Sequence, residues 1–102
     1  MVIKKGDILI EYINEDYHFA IFVIKRIVDD KKFVVDYILK NGFGAKSSSF
    51  YLVLEPNRIT SKDEILSATN IQKMSQTDFI RFKKELIKNS FELENVLLIK
   101  HR

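Results

Sequence analysis

The sequence predicts an α+β domain: a strongly bent antiparallel sheet of about five strands, followed by an amphipathic helix that covers one side. Three observations carry this. Residues 17–39 form two long apolar runs broken only by Asp29-Asp30-Lys31-Lys32. Residues 76–89 place apolar side chains at helical rather than alternating spacing. The 102 residues, 46% hydrophobic and 30% charged, suffice for one domain with a modest core and argue against disorder.

Taken in order, Lys4-Lys5-Gly6-Asp7 reads as a turn and Ile8-Leu9-Ile10-Glu11-Tyr12-Ile13 as the first strand. Asn14-Glu15-Asp16 is a polar connection, short enough to make the first two strands antiparallel neighbours. In the second strand, residues 17–28, Phe19, Ile21 and Val23 share one face while Ala20, Phe22 and Ile24 share the other. Both faces are apolar, so both must be covered. A strand of this length would span roughly 40 Å, about twice the usual, so a bend or bulge is expected within it. Closing the hairpin over residues 29–32 sets Lys25 opposite Asp36 and Asp29 opposite Lys32. Each such pair favours that register by about 0.2–1 kcal/mol.

Lys40-Asn41-Gly42-Phe43-Gly44 follows as a loop permissive of positive φ. Residues 47–54 read as a fourth strand, with Phe50, Leu52 and Leu54 on one side and Tyr51 and Val53 on the other. Glu55-Pro56-Asn57 is expected to end it, because proline cannot donate to a ladder, and Arg58-Ile59 to add a short fifth strand. Ser61-Lys62-Asp63-Glu64 has capping-box spacing and predicts a helical turn to about Ser67. Ser75-Gln76-Thr77-Asp78 repeats that logic before a longer helix whose stripe is Phe79, Ile80, Phe82, Leu86 and Ile87. Asp78 in its first turn and Lys88 in its last suit the helix dipole. This helix is expected over the outer face of the long strand. Residues 91–100 read as two short strands around Glu94-Asn95, or as one strand added to a sheet edge. The whole is expected to be a single domain, with a β core over residues 1–59 and the helix and terminal strand or hairpin over residues 60–102.

The run Lys4-Lys5-Gly6-Asp7-Ile8-Leu9, with strands of this length behind it, resembles the opening of SH3-like small β-barrels of bacterial proteins. The later part, a capped helix and then Asn89-Ser90-Phe91-Glu92-Leu93 with Leu98-Ile99-Lys100, is similar to the tail of short phage and mobile-element proteins that append a helix and hairpin to such a barrel. The resemblance implies an SH3-like barrel, a fold shared by translation and transcription modules, peptide binders and messenger-RNA-cleaving toxins. In those toxins an Arg-Pro pair usually follows the first loop. Here the only proline is Pro56, preceded by Glu55, which disfavours that branch.

Several chemistries are weakly represented. Gly42-Phe43-Gly44-Ala45-Lys46-Ser47 departs from a phosphate-binding loop, since Ala45 separates Gly44 from Lys46 and Leu39 stands where the first glycine belongs. Ser47-Ser48-Ser49 has no general base placed beside it. His18 and His101 are the only histidines and there is no cysteine, so no metal site and no cofactor are expected. Asp29-Asp30 and Glu15-Asp16 fall in turns, where acids serve backbone geometry. No catalytic residues are assigned, and a non-enzymatic protein is expected. No apolar run is long enough for a membrane span, and residues 1–10 lack a signal-peptide core, so a cytoplasmic, soluble protein without membrane contact is expected.

The net charge of +3 is a mild bias. Its one organised part is the helix, where Arg81, Lys84 and Lys88 recur at three- and four-residue intervals with Lys83 at the border. Such a strip suits phosphates or an acidic protein surface. The alternative is a solvated face with Arg81 paired to Glu85. Tyr12, Tyr17, Tyr37, Phe50 and Tyr51 interleave with charge in the strands and suit either base stacking or a core. The expected function is therefore a binding module for nucleic acid or a nucleoprotein through Arg81, Lys83, Lys84 and Lys88. The alternatives are a phage-encoded inhibitor or adaptor of a host protein, and a ribonuclease-like toxin.

Overall fold

The computed structural model describes residues 2–14, 18–42, 50–68, 70–90 and 96–98, with the backbone path alone at residues 14, 18, 41–42, 50–51, 85–90 and 96–98. Its elements are β1 (Ile8–Asn14), β2 (His18–Ile27), β3 (Lys32–Gly42), β4 (Phe50–Ser61), α1 (Lys62–Leu66), β5 (Ile71–Met74), α2 (Gln76–Ser90) and β6 (Val96–Leu98). One sheet runs in the order β5-β1-β2-β3-β4-β6. Every neighbouring pair is antiparallel except β4 and β6, which are parallel. The mixed α+β class and the five antiparallel strands agree with the sequence. Closure does not: β5 and β6 end opposite edges without pairing, so the described strands form an open curled sheet.

The turn before β1 is built by Gly6 at φ 90°, which lets Asp7 N–H donate to Lys4 O at 3.1 Å. Lys4 N–H in turn donates to Asp7 Oδ2 at 2.8 Å. That backbone bond, aided by Lys73 Nζ 3.3 Å away on β5, holds the Asp7 carboxyl below its ordinary range, against the opposing effect of burial.

The β2–β3 hairpin shows how sequence and register diverge. Both faces of β2 are covered, as its composition requires. Ala20, Phe22 and Ile24 join Leu9, Phe33, Val35 and Ile65 in one core, while Phe19 and Ile21 join Ile8 and Ile10 in the other. The tip, however, closes with its register displaced by one residue from that expected, with Val28 N–H donating to Lys32 O and Ile27 facing Phe33. Asp29 Oδ1 accepts the N–H of Lys31 at 2.7 Å and Asp29 N–H donates to Lys32 O at 3.3 Å, so the carboxylate shapes the turn instead of forming an ion pair with Lys32. An irregularity between Ile24 and Arg26, where Lys25 is the extra residue, shifts the ladder by one more, so beyond it the register lies two residues from the expected one. Asp36 thus pairs with Val23, yet Lys25 Nζ still reaches its carboxylate at 3.6 Å. The bulge keeps β2's apolar residues on their faces despite the shifted tip.

A second irregularity corrects the reading of Pro56. β4 does not stop there but runs on to Ser61, absorbing the expected fifth strand. The register shifts between Val35 and Tyr37, which face Arg58 and Glu55, leaving Pro56 and Asn57 as the bulged segment. Proline's missing donor is harmless where the ladder is already interrupted. The fifth antiparallel strand is instead β5, whose Ile71 and Met74 are half-buried and whose middle pair is exposed, a pattern without strand alternation.

Both helices start where the caps predict. Ser61 Oγ accepts Glu64 N–H at 3.1 Å and Ser75 Oγ accepts Asp78 N–H at 3.1 Å. α1 buries Ile65 completely against one face of the sheet. α2 lies on the opposite face, the outer one, as its stripe requires.

Candidate functional site

α2 owes its position to two aromatic side chains. Phe79 and Phe82 pack on Ile8, Ile10, Phe19 and Ile21, and Phe82 also reaches Leu52 of β4. The Phe19 and Phe82 rings meet edge to face, 4.9 Å between centroids at 68°. Ile80, counted in the apolar stripe from sequence, is 53% exposed, because at about 100° per residue it lies well round the helix from both phenylalanines. The side chains of Leu86 and Ile87 lie outside the described residues.

The same rotation turns the cations outward. Arg81, Lys84 and Lys88 fall within an arc of about 60° on the side away from Phe79 and Phe82. Arg81, Lys83 and Lys84 are all exposed. None of the three is in an ion pair with another described residue. Lys88 lies on the helical backbone near its end; its side chain, and that of Glu85, the expected partner of Arg81, lie outside the described residues. Three described cations elsewhere are in ion pairs. Lys25 meets Asp36, Lys73 meets Asp7, and Arg58 Nη2 stands 2.9 Å from Glu64 Oε1. Among the described residues, Arg81, Lys83 and Lys84 thus form a cluster of exposed cations on one helix without an ion-pair partner.

The tyrosines divide. Tyr12 is exposed at the rim of β1, but Tyr37 is half-buried against the core, tilted against Phe22 with the Arg58 guanidinium 4.3 Å above its ring. Burial raises the Tyr37 phenol above its ordinary pKa, more than Arg58 lowers it. Burial also lowers the Lys40 ammonium, which sits 5.6 Å from the Phe19 ring. Tyr17, the side chains of Phe50, Tyr51 and His18, and also Glu15-Asp16, residues 43–49 and His101 lie outside the described residues. Among the described residues no three carboxylate or imidazole side chains are grouped to hold a metal ion. No described helix is long and apolar enough to cross a membrane.

A feature absent from the sequence reading lies at the hairpin end of the outer face, beyond α2. There the two bulges leave an open groove of about 430 Å³ lined by Lys25, Arg26, Val34, Asn57 and Ile59. It draws residues from three strands, and only the stacking of one bulge beside another brings them together. Comparison with protein-family models, with curated proteins and with solved structures finds no match for this chain.

Proposed function

We propose that the protein is a non-enzymatic binding module that engages nucleic acid, free or within a nucleoprotein, through Arg81, Lys83, Lys84 and Lys88 of α2. The observation that carries this reading is the clustering of Arg81, Lys83 and Lys84 on one exposed helix, none in an ion pair with another described residue, with Lys88 one turn further along the same backbone. From Arg81 to Lys88 the helix rises about 10 Å, the axial length of roughly three phosphates of one strand. The curled β1–β4 meander with α2 on its outer face also supports reading the sheet as SH3-like, with the helix as an appended binding surface.

Fluorescence anisotropy with single-stranded and duplex oligonucleotides tests the reading. Three phosphate contacts predict an affinity loss of about 20- to 40-fold between 50 and 200 mM salt. Arg81→Glu, Lys84→Glu and Lys88→Glu together should abolish that binding while the protein stays folded. Retention of both affinity and salt slope in the triple variant would exclude α2 as the contact.

A further inference from the structure

The groove at the far end of the outer face is independent of the α2 reading. β3 is an interior strand, and the outer face of its middle is packed beneath α2 through Ile38 and Phe82. Towards the hairpin tip the same face continues with Val34, which pairs with Ile59 on β4 and Arg26 on β2. Ile59 is 68% exposed, though its cross-strand partner is aliphatic. Val28, beyond the end of β2, is 45% exposed. Val34 and Ile59 thus form a cross-strand aliphatic pair within the concavity, while Val28 lies outside its lining.

Its rim is cationic. Arg26 is exposed and in no ion pair with a described residue. Lys25 is fixed in place by Asn57 Oδ1 at 2.8 Å and by Asp36 at 3.6 Å, and its ammonium keeps a donor for another acceptor. No acid is among the described residues lining the groove, and nearby Asp36 already faces Lys25, so the described rim carries an excess of positive charge. The groove's floor is aliphatic and presents no ring on which a base would stack. A second copy docked by two-fold symmetry would bring one cationic rim against another.

We propose that this groove is a docking site for an acidic peptide segment, with an aliphatic side chain seated on Val34 and Ile59 and flanking carboxylates paired to Arg26 and Lys25. A volume of about 430 Å³ holds such a side chain with the backbone on either side of it. The bulges at Lys25 and at Pro56-Asn57 border the concavity, and bulges of this kind bend their strands and increase local twist.

The experiment is a nuclear magnetic resonance titration of the 15N-labelled full chain with a pool of short peptides. Each has a central Leu, Ile or Val flanked by Asp and Glu, and a control pool has Gln and Lys in place of the acids. The acidic pool should shift the amides of Arg26, Val34, Asn57 and Ile59. Ile59→Asp and Arg26→Glu, both at exposed positions, should each weaken that binding tenfold or more, a loss of about 1.4 kcal/mol. The dispersion of their spectra shows whether the fold is kept, and Arg26→Gln provides a milder second variant. The α2 triple variant should bind the peptides unchanged, so failure of the nucleic-acid reading leaves this result intact. Absence of groove shifts at about millimolar peptide, equal shifts with the control pool, or undiminished binding by both groove variants would overturn the proposal. So would larger shifts of these amides by a thymidine oligonucleotide, or concentration-dependent shifts without peptide, which would assign the groove to nucleic acid or to a second copy.

Discussion

Asp36 Oδ1 accepts the backbone N–H of Asn57 at 3.1 Å, tying the middle strand to the bulge that carries β4 past Pro56. Asn57 is the only described non-glycine residue with positive φ, at 59°, a conformation asparagine tolerates better than most. Asp36 therefore satisfies a donor that the interrupted ladder cannot.

Removing that acceptor should be costlier than relieving the backbone. Asp36→Ala is expected to destabilise the fold by about 1–2 kcal/mol in urea unfolding. Asn57→Gly, which loses only an exposed contact to Lys25 and gains conformational ease, should fall within about 0.5 kcal/mol of the parent. Equal losses in the two variants would show that the side chain of Asn57, not its backbone, organises the bulge.

Phe82→Ala removes the edge contact to Phe19 and the bridge to Leu52. Because Phe82 is half-buried, the expected cost is about 2 kcal/mol, below that of a fully buried phenylalanine. Far-ultraviolet circular dichroism should show helix loss before the sheet melts if α2 is held chiefly by this contact.

Thr60 is completely buried, and its hydroxyl has no hydrogen-bond partner among the described residues. Thr60→Val keeps the branched shape suited to a strand and removes an unpaired polar atom. It should raise stability by about 1 kcal/mol. A loss of that size would reveal that the hydroxyl has a bonded role.

Asp7 gives a pH signature. Its folded pKa is lowered, chiefly by the Lys4 N–H bond, so its contribution is complete above the ordinary carboxylate value. It disappears as pH falls through the lowered folded value. Asp7→Asn should cost up to about 1 kcal/mol at neutral pH, and the difference from the parent should shrink below about pH 4. A constant difference down to acid pH would place the effect in the turn's geometry and not in its charge.

The legible parts of this chain are those governed by local period and local hydrogen bonding. The two-faced apolar β2, the serine caps at Ser61 and Ser75, and the outward Arg81 and Lys84 follow from alternation, spacing and rotation about a helix. What was illegible depends on partners distant in sequence. Pro56 reads as a stop until the irregularity opposite Asp36 accommodates it. Ile71-Gln72-Lys73-Met74 has no strand period, because its burial is set by the edge of β1. The groove at Arg26 and Ile59 needs two bulges side by side, and no single stretch of sequence encodes that.

β5 and β6 occupy the two outermost positions of the sheet, yet both come from the segment after Ser61, with α2 between them. α2 spans the outer face from β1 and β2 across to Leu52 on β4, so a single stretch of chain acts as a clasp over both margins of the four-strand meander. The edges of the meander at β1 and β4 are thus covered by the two strands that flank the helix carrying the basic strip, and the sheet's margins are moved out to β5 and β6.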